Sequence, residues 1–296
     1  MPSSPQVFST PLTKAFNIKH PVMLAGMNVA AGPKLAAAVT NAGGIGVIGG
    51  IRQSPKMLEE SIKELKSYLE DKDAPFGVDL LIPQIGGGAR KTNYDYTEGR
   101  LPELTEVIIR NKATLFVCAV GVPPKDMVDK LHAAGIFVMN MVGHPKHVSK
   151  ALAQGVDIIC AQGGEGGGHT GDTPFSVLIP ACVDLCTNTK SPLTGQPVLV
   201  VAAGGIADGR GLAAALSEEN RQQEIKQLTS QGKIPHDVEL EKHPEKSLEG
   251  RMWLMGKVAG SINDIKSAKE IVDELVTSAA RSLTSATNLI VPRSKL

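Results

Sequence analysis

The stretch Val156-Asp157-Ile158-Ile159-Cys160-Ala161-Gln162-Gly163-Gly164-Glu165-Gly166-Gly167-Gly168-His169-Thr170-Gly171 runs from a short apolar segment directly into six glycines within eleven residues. A continuous apolar run bounded by glycine reads as a strand buried on both faces, as in a parallel sheet. The glycine run cannot form a stable helix or strand, because each glycine loses more backbone freedom on ordering than any other residue. What it can do is bring bare backbone close to a flat ligand and present N–H groups to it.

Outward from this segment, runs of the same kind recur with helical stretches between them, the pattern of parallel strands joined by crossover helices. Seven strands are expected, at Pro21–Ala25, Gly44–Ile48, Phe76–Leu81, Thr114–Ala119, Ile136–Met141, Asp157–Gln162 and Pro197–Ala202. Helices are expected at Gly32–Asn41, Pro55–Leu69, Leu101–Arg110, Lys125–Ala134, Pro145–Ala153, Ser176–Asn188 and Asp208–Leu216. Runs of this length fit a (β/α) barrel and a doubly wound sheet equally well. From Ser217 to Gly250 the chain turns polar, and Met252–Ser261 and Ile265–Leu283 then resume an amphipathic helical pattern, with Ile271, Leu275, Ala279 and Leu283 on one stripe.

The 296 residues suit one α/β barrel, and 42% hydrophobic with 21% charged residues is an ordinary globular composition. A formal net charge of +1 without a Lys/Arg-rich run argues against nucleic acid and for a small-molecule partner. Cys118, Cys160, Cys182 and Cys186 form no CxxC pair, which points to a reducing compartment, and no metal site is expected. No apolar stretch reaches the roughly 18 to 20 residues of a membrane span. The tripeptide Ser294-Lys295-Leu296 has the form of a peroxisomal address read by an import receptor, so peroxisomal localisation is expected.

His169 is the side chain in the glycine loop that ionises near neutrality, which makes it the candidate for proton transfer; capping a helix that begins near Thr173 is its other possible task. Glu165 reads as a solvated loop carboxylate. A second glycine cluster, Ala203-Gly204-Gly205-Ile206-Ala207-Asp208, opens the helix Asp208–Leu216, where backbone N–H groups could hold an anion or simply make a turn. In Met23-Leu24-Ala25-Gly26-Met27, the Met27 thioether could lie against an aromatic ring or pack in the core.

Taken together, Ala25-Gly26-Met27, Asn41-Ala42-Gly43-Gly44-Ile45-Gly46 and Ala161 through Gly171 resemble the signatures of the nitronate monooxygenase family, formerly called 2-nitropropane dioxygenases, over about Val7 to Leu216. The resemblance implies a TIM-type (β/α)8 barrel that binds FMN and oxidises a small nitronate or nitroalkane with molecular oxygen. It implies Ala25, Gly26 and Met27 along the isoalloxazine, Gln162 and Gly167 near its active face, and Asp79 as a polar neighbour of the flavin. Ala203, Gly204 and Gly205 match the part of the family pattern that holds the FMN phosphate, and His169 matches its catalytic base. The stretch Gly86-Gly87-Gly88-Ala89-Arg90-Lys91 is similar to a family loop of unassigned contacts.

The chain departs from the family pattern after Leu216. There an eighth strand and its turn should complete the phosphate site, but Ser217-Glu218-Glu219-Asn220 follows instead. The expected architecture is therefore a barrel truncated to about seven β/α units, with residues 1–216 as the flavin-binding barrel and 217–296 as a polar connection with C-terminal helices packed on it. Two rival functions go with this reading. One is a flavin-dependent enoyl-acyl-carrier-protein or quinone reductase using NAD(P)H, and the other a truncated isoform with impaired flavin binding.

Overall fold

The computed structural model describes residues 5–27, 30–83, 95–218, 262 and 264–287. The 86–91 loop, the 252–261 segment and the tripeptide 294–296 lie outside the described residues. Helices α1 (Pro11–Phe16) and α2 (Pro33–Asn41) precede β1 (Gly46–Gly49), and the chain then alternates: α3 (Pro55–Tyr68), β2 (Phe76–Leu81), α4 (Leu101–Arg110), β3 (Leu115–Ala119), α5 (Lys125–Ala133), β4 (Phe137–Val142). It continues with a 3-10 turn at Pro145–His147, α6 (Val148–Ala153), β5 (Ile158–Gln162), α7 (Phe175–Cys186), β6 (Leu199–Ala203), α8 (Gly209–Glu218) and α9 (Ala268–Thr287).

All six strands are parallel and pair in sequence order, β1-β2-β3-β4-β5-β6. The sheet separates two cores. On its inner face, Ile45, Val47, Leu115, Val117, Met139, Ile158 and Cys160 cluster. Phe16 of α1 closes one end of that cluster, its ring 4.8 Å from Phe137. On the outer face Ile48, Val78, Leu80, Phe116, Val138 and Ile159 meet the helices. An inner core lined by one curled, open parallel sheet, with helices outside, is part of the barrel arrangement. The helix faces follow sequence spacing: on α3, Leu58, Ile62 and Leu65 form one fully buried stripe, each contributing about 1.5–3 kcal/mol of burial. Ser54 starts that helix by accepting the Met57 N–H at 3.2 Å.

The expected first strand is corrected. Pro21–Ala25 forms only an isolated parallel bridge, Met23 to Ile45, with Leu24 N–H donating to Ile45 O and Ile45 N–H to Val22 O, each at 3.0 Å. A strand needs neighbours to extend its ladder. Among the described residues Pro21–Ala25 has β1 on one side, and no eighth strand on the other. The missing partner also shows at β6, where all five residues are only partly buried.

The eighth unit's helix, by contrast, has a substitute. α9 packs against both α8 and α2, the position a barrel's last crossover helix takes between the seventh and the first. Val276 and Ala279 join Leu212 and Ala213 in a separate apolar cluster. The approach is close because α8 begins with glycine: a Cβ on Gly209 would lie 2.3 Å from Ser278 Cβ and 2.6 Å from Ala279 N.

At the N-terminal ends of the strands, buried Asp157 ties three elements together. It accepts from Val138 N–H at 2.8 Å and from Ser191 Oγ at 2.6 Å, and faces His132 Nε2 at 2.9 Å. Charged and polar groups at this end of a barrel serve stability, whereas the opposite face carries chemistry.

Candidate functional site

The loops at the C-terminal ends of the strands open into one cleft of about 1940 Å³ that continues through the sheet's inner side to Pro197–Leu199 at the other end. Ala25, Gly26, Met27, Asp79, Gln162, Gly167, His169, Ala203, Gly204 and Gly205 all line it. Every site residue expected from sequence therefore reaches the same space, from three strands and the bridged segment at Met23. Met27 is 53% exposed, so its core-packing alternative is overturned.

The glycine loop after β5 is held by its own bonds. Gly163 N–H donates to Ala203 O at 2.9 Å, Gly164 N–H to Thr173 O at 2.9 Å, and Gly166 N–H to Gly163 O at 3.0 Å. Gln162 Nε2 reaches across to Gly167 O at 3.1 Å. Glu165, expected to be merely solvated, accepts the Phe175 N–H through both carboxylate oxygens, at 3.1 and 3.2 Å. It caps α7, the task considered for His169, because its side chain folds back toward that helix start. His169 is exposed and lines the cleft, and its ring makes no hydrogen bond among the described residues.

Two glycine positions carry the close fit between loops. Gly204 has φ +84°, and a Cβ there would lie 2.7 Å from Gly163 O; a Cβ on Gly171 would lie 2.1 Å from Gly143 O. Backbone thus packs on backbone across β5, β6 and β4. Val120, at the end of β3, adopts φ +70° and also lines the cleft. A β-branched residue in that region is strained by about 1–3 kcal/mol, and such strain gathers at ligand sites.

Asp79 lies beneath the mouth. It is 2% exposed, its Oδ1 has no hydrogen-bond partner, and burial raises its pKa to about 8. A Cβ on Gly26 would sit 2.2 Å from Asp79 Cβ, so only glycine lets the Ala25–Met27 segment pass over this carboxyl.

At the start of α8, where the sequence suggests an anion site, a side chain caps the helix. Asp208 caps it, accepting from Arg210 N–H at 2.8 Å, while its other oxygen pairs with the Arg210 guanidinium. The Arg210 bond holds the Asp208 carboxyl below its ordinary range. An ionised carboxylate already fills the helix start, which leaves the backbone of Gly204 and Gly205, both at positive φ, as the remaining anion-facing part of that loop.

Sequence reading missed His144, which follows β4 as Gly143-His144 and lines the same cleft. Its Nδ1 accepts the Lys146 N–H at 3.1 Å, so Nε2 bears the proton of the neutral ring. Its position one glycine past a strand end was the available signal. Asn140, buried with Oδ1 unpartnered, also borders the cleft; nothing in its strand's sequence marked it.

A planar ring suits this site: the mouth is backbone and glycine on the β5 and β6 loops, and an unsatisfied buried carboxyl lies below Gly26. The phosphate end offers less, since Asp208 engages the Arg210 amide in the first turn of α8 and no strand-eight loop contributes among the described residues.

Known proteins agree with this architecture. The nitronate monooxygenase family profile matches residues 9–219. Over 208 residues the chain is 36% identical to a Rhodococcus jostii (strain RHA1) protein named (3aS,4S,5R,7aS)-5-hydroxy-7a-methyl-1-oxo-octahydro-1H-indene-4-carboxyl-CoA dehydrogenase, covering 70% of this chain and 51% of that one. It is 28% identical to a probable nitronate monooxygenase of Staphylococcus haemolyticus (strain JCSC1435), over 70% of this chain and 64% of that one. The chain thus spans about half the length of the first of these relatives. Among solved structures, FabK from Thermotoga maritima superposes with a TM-score of 0.71 at 25% identity, covering 96% of this chain and all of that one. A nitroalkane oxidase from Streptomyces ansochromogenes gives 0.58 at 25% identity, over 71% and 65% of the two chains. With strands, glycine loops and profile in agreement, the chain belongs to the nitronate monooxygenase family.

Proposed function

We propose that this protein binds FMN at the strand C-termini and oxidises alkyl nitronates with molecular oxygen, His169 acting as the base toward neutral nitroalkanes. The observation that carries the reading is the convergence of His169, Asp79 and three glycine-bearing segments on one cleft. Ala25, Gly26 and Met27 would lie along the ring, Gln162 and Gly167 near its reacting face, and Ala203, Gly204 and Gly205 toward the phosphate. Bound there, FMN supplies the redox chemistry. The chain's own contribution is orientation and proton transfer: an exposed imidazole removes the α-proton of a neutral nitroalkane, while toward an anionic nitronate it only balances charge.

His169→Asn tests this. Turnover of a neutral nitroalkane should fall about 10²–10⁴-fold, the usual worth of a general base, with a much smaller loss on the nitronate. Equal losses on both would remove the base assignment. A visible spectrum of the purified protein comes first: flavin bands support catalysis, and a colourless protein that takes up no added FMN supports the impaired isoform.

The likeness to FabK over 96% of the chain favours a second reading, a flavin-dependent reductase using NAD(P)H. The relative named for a CoA thioester adds acyl-CoA compounds to the substrates to try. Anaerobic mixing separates these readings: bleaching of the flavin by NADPH marks a reductase, bleaching by nitronate alone marks the monooxygenase.

A further inference from the structure

Asp79 sits at the fourth position of β2, paired in register with Gly49 on one side and Val117 on the other. Its strand alternation puts it on the inner face with Gly77 and Leu81, and it borders the cleft. The Gly26 backbone lies against it, the Cys160 thiol shares its inner face of the sheet, and the Cys118 thiol, on the neighbouring strand, turns to the outer core and acts on it only through space. Burial holds Cys160 up to about 12 and Cys118 well above its ordinary value, so both thiols are neutral through the physiological range. No cation faces the carboxyl among the described residues. A carboxylate buried without a countercharge or hydrogen-bond donors is too costly to persist, and the group keeps its proton instead.

We propose that Asp79 is a neutral carboxylic acid that donates a hydrogen bond to an acceptor on the flavin ring, and that its ionisation weakens the hold on the cofactor. This deepens the flavin reading and rests on it. Protonated, the group has one O–H to give, and a ring passing over Gly26 is the partner its geometry offers. Ionised, it offers acceptors only and repels an electron-rich ring atom. The carboxyl titrates at about 8 in the cofactor-free protein, so the change falls within an accessible range. A bound acceptor moves that titration higher still, by linkage.

The test is FMN affinity of the apoprotein, read by quenching of flavin fluorescence between pH 6.5 and 9.5. For the wild type, affinity should be flat at the acid end and then fall by up to about tenfold per pH unit as one proton is lost. Asp79→Asn, which keeps a donor, should bind FMN with no such fall, and Asp79→Ala should bind more weakly and also without it. An infrared band of a protonated carboxyl in the wild-type holoprotein at pH 6.5, absent from Asp79→Asn, would support the proposal without relying on how well the variants fold. The proposal is overturned if that band is missing, or if wild-type affinity is flat across the range, or if Asp79→Asn falls in parallel with it. Failure of the wild type to bind FMN at any pH would overturn the flavin reading as well, which separates the two.

Discussion

Glu165 and Phe175, ten residues apart, are joined by a carboxylate that accepts one backbone N–H through both oxygens. The same bond caps α7 and fixes the path of the loop that ends in His169. Glu165→Ala should therefore cost about 1 kcal/mol, the usual worth of a helix cap, seen as a lower melting temperature. Because the loop is also loosened, turnover should fall by more than that stability loss explains. Glu165→Gln, whose amide oxygen can still accept, should recover most of both. If Glu165→Ala melts like the wild type, the cap contributes nothing.

The buried acid offers a second measurement, on stability of the cofactor-free protein. Asp79 titrates at about 8 when folded against an ordinary value of 3.8. Between these values the folded state keeps a proton that the unfolded chain has released. The stability this proton confers is complete below the unfolded value and is lost progressively as pH rises, until the loss levels off above about 8. The full span is on the order of several kcal/mol, taking 1.36 kcal/mol per pH unit. Asp79→Asn removes the dependence, so the variant should gain most over the wild type near pH 8 and least near pH 4. A gain of the same size at both pH values would mean that Asp79 is not a buried, neutral acid.

Much of this could be read from the chain, for identifiable reasons. Strands such as Phe76–Leu81 and Ile158–Gln162 were legible because parallel strands bury both faces and leave apolar runs closed by glycine. The glycine loop was legible as a binding segment because its composition excludes a helix or strand. Pro21–Ala25 was misread because its own residues suit a strand, while the ladder depends on an eighth neighbour elsewhere in the chain. The capping by Glu165 and Asp208 needed the paths of two loops in space. Asp79 could be placed near the flavin only by resemblance; its burial comes from the Gly26 segment packing over it, which its own strand does not show. Val120 is an ordinary residue in sequence, and its positive φ has no local signature.

The network around Asp157 predicts a variant that separates stability from chemistry. Asp157→Ala leaves the Val138 N–H and the Ser191 hydroxyl without their acceptor and the His132 ring without its carboxylate. Each abandoned buried group costs about 1–3 kcal/mol, so the loss should reach several kcal/mol in denaturant unfolding. The network lies at the end of the sheet opposite the glycine loops that follow β5 and β6. Whatever fraction remains folded should therefore bind FMN with unchanged affinity, and an altered affinity would show that the two ends of the sheet are coupled.

Gly209 tests whether α9 truly substitutes for the last crossover helix. A methyl group there meets Ser278 Cβ, Ala279 N and Leu275 O, all within 2.7 Å, and two of the three are backbone atoms that cannot turn aside. Gly209→Ala should push α8 and α9 apart at a cost of about 1–3 kcal/mol, the range for overpacking. Adding Ser278→Gly should restore only part of it, since the backbone contacts remain. Amide hydrogen exchange in α9 should speed up in the single variant, because the cluster of Leu212, Ala213, Val276 and Ala279 is what holds the helix in place. Unchanged exchange together with an unchanged melting temperature would mean that α9 is not seated on α8 as described, and the barrel's outer wall would then be open between α8 and α2.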